Sequence, residues 1–377
     1  VTFVDGCGTI SFDFRSATRL VVGAGSVARL GELARELGAT RALVVSDPGV
    51  VHAGHTALGA SALGEAGLAV ESFSGFSENP TTVHAEAGAE VAREFRPDLI
   101  VGLGGGSSMD CAKGINFLHS CGGRMQDYHG RGRATGPMLP SIAVPTTAGT
   151  GSETQSFALI TDPTTGMKMA CGDPRAAFRV AILDVTLTLT QPPRVAAVTG
   201  IDALSHAVES HVSLAATPAS RVFSREAWRL LSRHLPRVFA DPADHEPRGA
   251  VQLGAAWAGL AIENAMLGAA HALANPLTAA YGIVHGQAVG LMLPHVVRFN
   301  AATCAERYAE LTAEGDLADW LTSTLKRAGL ASSLSALGIA SPDIPSLAAA
   351  AARQWTAGFN PRPVAEAEFA NLYEAAR

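Results

Sequence analysis

The chain has 377 residues, enough for two domains with sizeable cores. Its composition, 47% apolar and 16% charged, suits a compact fold, and a net charge of −6 leaves no basic footprint for nucleic acid or a polybasic membrane patch. Glu263, Asn264, His271, Asn275 and Pro276 interrupt the longest apolar stretch, so no membrane span is expected.

The first segment, Gly8-Thr9-Ile10-Ser11-Phe12-Asp13-Phe14, alternates like a strand and is a candidate for pairing with another subunit. From Ala17 to about Thr190, apolar β-rich runs alternate with helical segments: Leu43–Ser46, Leu99–Leu103, Ser141–Val144 and Val180–Leu183. That alternation predicts a parallel sheet with helices on its faces. Gly23-Ala24-Gly25-Ser26-Val27-Ala28 fits a short dinucleotide fingerprint, but the pattern is common and reads here as a structural turn. Asp47 follows the strand-like run Ala42–Ser46, and an acid at the C-terminal end of a parallel strand faces the ligand edge of the sheet.

The run Leu99–Leu103 opens into Gly104-Gly105-Gly106-Ser107-Ser108-Met109-Asp110 and then a helical pattern. Strand, glycine turn and helix bring backbone N–H groups to a phosphate, with glycines for positive φ and close approach. A capped loop without a ligand fits the same residues. The stretch Gly122–Pro137 reads as a surface loop. Pro145-Thr146-Thr147-Ala148-Gly149-Thr150-Gly151-Ser152-Glu153 is rich in small hydroxyl donors, which serve either a cofactor or their own turns. After Gln191-Pro192-Pro193 the β-branched runs thin out and alanine/leucine helical periodicity takes over, placing the boundary between residues 1–190 and 191–377.

Asp202 and His206 sit four apart in a helical stretch, so both project from one face. With His271 and His285 they make a complete four-coordinate N/O set for a divalent transition metal. Spacing alone leaves open that these are ordinary structural histidines among the chain's 12. Asn275 stands one helical turn beyond His271, or else ends the helix before Pro276. The five cysteines, Cys7, Cys111, Cys121, Cys171 and Cys304, are widely spaced and read as reduced cytosolic thiols, with Cys111 a packing residue. The start shows no basic n-region, and a cytoplasmic location is the expectation.

Taken together these motifs resemble the iron-containing (group III) alcohol dehydrogenase family. The matching pieces are Gly104-Gly105-Gly106-Ser107 with Asp110, the Pro145–Glu153 run, Gly200–Glu209, His285-Gly286 leading to Leu293-Pro294-His295-Val296, and Thr356 with Asn360-Pro361-Arg362. The resemblance spans almost the whole chain in order. It implies an α/β N-terminal nucleotide-binding domain and an all-α C-terminal metal-binding domain, the dehydroquinate synthase-like fold, with the active site in a cleft between them. It implies that Asp202, His206, His271 and His285 ligate the metal, His271 and His285 being also catalytic. Gly105, Gly106, Ser107 and Asp110 would lie near a diphosphate, and Asp47, Asn79, Thr146, Thr147, Thr150 and Lys168 would line the rest of the cofactor site. Two departures stand out: many relatives carry His where this chain has Asn275, and some place a smaller or polar residue at Phe157.

The implied chemistry is reversible hydride transfer between a small alcohol and NAD, preferred over NADP because an Asp47 carboxylate repels a 2′-phosphate. A divalent ion, Fe2+ by family or Zn2+ by raw affinity, would supply Lewis acidity to the substrate oxygen. Trp257, Met266 and Phe157 are candidates for an apolar pocket favouring short aliphatic substrates. The expected partners are a small alcohol or aldehyde and a second copy of the chain, with no nucleic acid or membrane. A glycerol dehydrogenase-like or maleylacetate reductase-like enzyme, a dehydroquinate synthase-like lyase, and a non-catalytic assembly protein are the competing readings.

Overall fold

The computed structural model describes residues 3–4, 10–312 and 315–377. They fall into two compact units: Ser16–Gln191, and Pro192–Arg377 together with the described residues before Ser16.

The first unit contains, in chain order, β3 (Arg19–Val22), α1 (Leu30–Glu36), β4 (Arg41–Val45), α2 (Pro48–His52), α3 (His55–Glu65), β5 (Ala69–Phe73), α4 (Thr82–Phe95), β6 (Leu99–Gly104), α5 (Gly106–Cys121), β7 (Gly130–Arg131), β8 (Ser141–Pro145), β9 (Phe157–Thr161), β10 (Lys168–Gly172) and β11 (Val180–Leu183). Six of these strands form a parallel sheet in the order β3-β11-β8-β6-β4-β5. Strands β6, β8 and β11 are buried along their whole length, as strands covered on both faces must be. Val44, Val101, Ile142 and Ile182 pack on one face with Leu30, Leu33 and Leu63. Their neighbours Leu43, Ile100, Ala143 and Ala181 pack on the other with Met109, Ala112 and Ile115. Period-two alternation thus divides one apolar run between two cores.

From β4 the chain runs outward to β5, then returns to β6 on the opposite side of β4. The order therefore reverses between β4 and β6, where Val45 pairs with Gly102. Crevices at the carboxyl ends of strands flanking such a reversal are where open α/β sheets bind ligands.

A second sheet, β7-β10-β9, lies within the same unit. It changes the reading of Gly122–Pro137 as a surface loop. Gly130 and Arg131 pair with Cys171 and Gly172, while Met125, Tyr128 and Ala134 join a core with Phe117 and Ile160. The few apolar residues of that glycine-rich stretch are the ones that anchor it.

Before Ser16, β1 (Phe3–Val4) pairs antiparallel with β2 (Ile10–Ser11). Of the N-terminal segment expected to form a strand, Gly8 and Thr9 lie outside the described residues, and regular strand ends at Ser11. The Phe14 ring stacks on Phe223 at 5.3 Å, and Arg15 exchanges two 3.1 Å backbone hydrogen bonds with the Asn264 amide. These tertiary contacts attach the segment to the helical unit, whereas the sequence reading assigned residues 1–190 to the α/β domain.

The second unit is otherwise helical: α6 (Pro193–Val212), α7 (Pro218–Ala240), α8 (His245–Ala265), α9 (Ala269–Tyr281), α10 (His285–Ala309), α11 (Leu317–Arg327), α12 (Ile344–Ala352) and α13 (Glu366–Ala375). Helix α6 is buried on all sides from Gly200 to Val212, which marks it as the central helix. Helix α10 approaches it closely at two glycines. A Cβ at Gly286 would lie 2.0 Å from the Val198 carbonyl oxygen, and one at Gly290 would lie 2.4 Å from Ile201 Cγ2. Among the described residues no helix is long and apolar enough to cross a membrane.

Candidate functional site

The helical unit brings the predicted quartet together. Asp202 and His206 share a face of α6, His271 lies in the first turn of α9, and His285 opens α10. Asp202 Oδ1 is the hub, with Nε2 of His206 at 3.5 Å, of His271 at 3.6 Å and of His285 at 3.8 Å. Asp202, His206 and His271 are buried; His285 is half-buried and forms the accessible side. The ligand atoms of Asp202, His271 and His285 all lie within 4.8 Å of one another. The His206 and His271 rings stack at 5.0 Å.

Burial opposes ionisation of Asp202, but His206, His271 and His285 outweigh it and hold the carboxyl below the usual range. Burial likewise opposes protonation of His271, yet the carboxylates of Glu209 and Asp202 push it up to about 9. Asp202 Oδ1 and His271 Nε2 are buried without a hydrogen-bond partner. Buried polar atoms normally have partners. Converging orphaned donors of this N/O type fit a divalent transition metal, whose charge takes the place of the protons the cluster otherwise draws in.

The α/β unit places Asp47, the Gly105–Ser107 turn and Thr146–Thr150 at the carboxyl ends of β4, β6 and β8, with Asn79 after β5 and Lys168 at the start of β10. Asp47 caps α2 through Val50 N and accepts from Ser108 Oγ at 3.0 Å, so the acid is tied to the turn after β6. Asn79, at φ 57°, meets Ser107 Oγ through its N–H at 3.3 Å and accepts from Lys168 Nζ at 3.3 Å. Thr146 N donates to the Gly104 carbonyl at 2.9 Å. In the glycine run only Gly104 has a positive φ, 148°. Gly106 is needed for space instead, since a Cβ there would meet Thr150 Cγ2 at 2.7 Å, whereas one at Gly105 would stand in ordinary contact with Thr147 at 3.4 Å. Of the two reasons expected for glycine in this run, positive φ falls to Gly104 alone. The earlier turn at Gly23–Gly25 is structural, because the buried Asp184 carboxylate accepts from Gly25 N and Val27 N, both at 3.0 Å.

Sequence reasoning missed several residues here. Lys113, buried in α5, donates to the Ser152 carbonyl (2.8 Å), Ser152 Oγ (3.0 Å) and the Phe157 carbonyl (2.8 Å). Ser152 Oγ in turn donates to Asp110 at 2.8 Å. These bonds pin the hydroxyl-rich loop to the helix that opens at the glycine turn. Burial raises Asp110 against the pull of Lys113, and pushes the buried Glu153 carboxyl up to about 7. In the helical unit Glu209 was quoted only as part of a motif. Its Oε2 lies 2.5 Å from His271 Nδ1.

Other expectations change. Asn275 is neither a cap nor a helix end: α9 continues through Pro276 to Tyr281, and the Asn275 amide donates to Gln354 Oε1 at 2.9 Å. The three candidates for an apolar pocket each have a structural place as well. The Phe157 ring fills the space over Gly172, Trp257 packs on Phe223 at 5.4 Å, and Met266 ends α8 at φ 63°. Burial pushes the Cys111 thiol well up, consistent with a packing residue.

A buried Asp/His cluster in a helical unit, in a chain that also carries a glycine-opened sheet edge, is characteristic of enzymes that pair a metal with a nucleotide. Residues 17–185 match the family model for iron-containing alcohol dehydrogenase, and residues 196–377 match the C-terminal model of the same family. The chain is 34% identical to 1,3-propanediol dehydrogenase of Citrobacter freundii, with 97% of this chain and 98% of that protein covered. It is 36% identical to the NAD-dependent methanol dehydrogenase of Bacillus methanolicus over 77% of this chain and 76% of the relative. A crystal structure of 1,3-propanediol oxidoreductase superposes with a TM-score of 0.94 at 32% identity, covering 97% of this chain and 100% of the other. The chain belongs to the iron-containing alcohol dehydrogenase family and is an oxidoreductase of that type.

Proposed function

We propose that this protein is a metal-dependent, NAD(H)-linked alcohol dehydrogenase and aldehyde reductase acting on short alcohols and aldehydes. The observation that carries the reading is the convergence of three imidazole Nε2 atoms on Asp202 Oδ1 at 3.5 to 3.8 Å. Asp202, His206, His271 and His285 hold the metal, which is Fe2+ by family membership, with Zn2+ the alternative because nitrogen-rich sites bind it more tightly. When bound, the ion supplies Lewis acidity toward the substrate oxygen.

The chain's own residues do the rest. Asp202 contributes the single negative charge of the ligand set, and His285, the half-buried member, faces the side from which substrate arrives. In the α/β unit, Gly105, Gly106 and Ser107 offer backbone N–H groups at the start of α5 to a diphosphate. Thr146, Thr147 and Thr150 add hydroxyl donors, while Asn79, Asp110 and Lys168 frame the same edge. Asp47, held rigidly by Val50 N and Ser108, accepts from a ribose hydroxyl and disfavours a 2′-phosphate. The name of the Bacillus methanolicus relative supports NAD as the cofactor. Residues 1–190 are read as the cofactor-binding domain, less the segment to Arg15, and 191–377 as the metal-binding domain. The same reading makes the protein a cytoplasmic homodimer, which light scattering tests for its oligomeric part.

The functional test is NADH and NADPH oxidation with a panel of aldehydes. Short aliphatic aldehydes reduced preferentially with NADH are expected. A panel dominated by polyols or phosphorylated aldehydes refutes the substrate class, and a preference for NADPH refutes the role of Asp47.

A further inference from the structure

Glu209 lies two helical turns beyond Asp202 and one turn beyond His206, on the metal-facing side of α6, and is buried. Its two oxygens have separate duties. Oε1 accepts from Ala270 N at 2.7 Å, satisfying one of the open donors at the start of α9. Oε2 meets His271 Nδ1 at 2.5 Å. Gly268 makes room for this: a Cβ there would stand 3.0 Å from Glu209 Oε1 and 3.1 Å from Asn360 Oδ1. Asn360 caps the adjacent Ala269 N at 3.3 Å and also accepts from Asn300 Nδ2 at 3.0 Å. Two remote side chains therefore cap the same helix end, and only Glu209 also contacts a ring of the cluster in these bonds.

An ionised carboxylate only accepts hydrogen bonds. Opposite it, His271 Nδ1 must carry a proton, so in the neutral ring that a metal requires the lone pair is on Nε2, which stands 3.6 Å from Asp202 Oδ1. We propose that Glu209 is a positioning residue for the metal centre: it fixes the tautomer and ring orientation of His271 so that Nε2 is presented as a ligand. This inference rests on the metal reading above. It also explains why a carboxylate is required where an amide of the same shape would fit. Glutamine has one acceptor oxygen and one donor NH2, yet the site offers two donors, Ala270 N–H and His271 Nδ1–H. When the amide oxygen serves Ala270, its NH2 turns to Nδ1 and favours the tautomer with the proton on Nε2, which blocks ligation.

The test is Co(II) binding by chelator competition, with thermal stability of the metal-free protein measured alongside, for wild type, Glu209→Gln and Asn360→Ala. Wild type binds one equivalent. Glu209→Gln weakens binding by about 10- to 100-fold, the range found when outer partners of ligating histidines are removed. Asn360→Ala lowers the melting temperature but leaves the metal affinity within about twofold, because the bonds it removes, to Ala269, Asn300 and Arg362, do not include a ring of the cluster. Wild-type affinity in Glu209→Gln overturns the inference, as does an equal loss in Asn360→Ala, which would trace the effect to helix capping. Absence of Co(II) binding by wild type refutes the metal reading instead, a distinguishable failure. Should Glu209→Gln not fold, histidine-selective 15N NMR of the zinc-loaded wild type decides. A protonated, hydrogen-bonded Nδ1 on His271 is expected, and an unprotonated Nδ1 overturns the inference.

Discussion

Gly286 is the position where a single methyl group most directly probes how α10 delivers His285 to the cluster. A Cβ there would lie 2.0 Å from the Val198 carbonyl oxygen and 2.8 Å from its carbon. Both are backbone atoms in the middle of α6 and cannot rotate away. Ordinary contact begins near 3.4 Å, so in Gly286→Ala the start of α10 must retreat by about 1.4 Å. His285, the preceding residue, retreats with it from Asp202, now 3.8 Å away. Overpacking of this kind costs about 1 to 3 kcal/mol. A misplacement of about 1 Å in a reacting constellation lowers turnover by about 100-fold. Gly290, one turn further along, is the control. Its Cβ would meet Ile201 Cγ2 at 2.4 Å and Leu325 Cδ1 at 3.0 Å, side-chain methyl groups rather than backbone atoms. Leu325 can repack and Ile201 can shift by turning χ1, where a carbonyl cannot, and alanine regains about 1 kcal/mol of helix propensity. The assays are thermal melting without metal, Co(II) affinity and aldehyde turnover. Gly286→Ala should lose all three, whereas Gly290→Ala should keep metal affinity and turnover close to wild type. Equal metal affinity and turnover in the two variants would refute the argument that α10 must touch α6 at Gly286 to place His285.

Glu153→Gln should change the pH dependence of stability. The carboxyl is raised from 4.5 to about 7, so the folded state binds its proton more tightly, and stability falls as pH rises through that window. The amide does not titrate, so the variant should be more stable by about 3 kcal/mol at pH 8 and equal to wild type below pH 4.5; parallel melting curves from pH 4 to 8 without divergence would contradict this. Asp47→Gly should narrow the preference for NADH over NADPH while costing only a few tenths of a kcal/mol as a lost cap. Paired Michaelis–Menten measurements check it, and an unchanged cofactor ratio would show that Asp47 serves α2 alone. Asn275→His should add an ionisation near 6.5 to the pH–rate profile of alcohol oxidation. Superimposable profiles would place this side chain, now bonded to Gln354, outside the proton path.

Much of the architecture was legible because it is written in local periodicity. The fully buried strands Leu99–Gly104, Ser141–Pro145 and Val180–Leu183 announce themselves as apolar runs. Ala69–Phe73 does not, because most of this edge strand is solvent-exposed and its sequence carries Glu71 and Ser72. The proposed metal quartet was legible in part: Asp202 and His206 lie one turn apart and His271 and His285 complete the ligand set by type, but only the family resemblance favoured these two over ordinary histidines. The bonds that support the quartet and the cofactor edge were not. Glu209 reaches across 62 residues to His271, and Lys113 across 39 to Ser152. Such pairings depend on how helices pack, which no local pattern encodes. The N-terminal segment escaped for the same reason, since its place is set by Phe223 and Asn264 far along the chain.

Turnover is proposed to depend on a metal held by Asp202, His206, His271 and His285. The most direct measurement is NADH-dependent reduction of a short aldehyde by protein stripped with a strong chelator and then titrated with Fe(II) in the absence of oxygen. Stripping is expected to abolish activity, which should return in proportion to added metal and reach a plateau at one equivalent per chain. Full activity in protein shown to be free of metal would contradict this dependence.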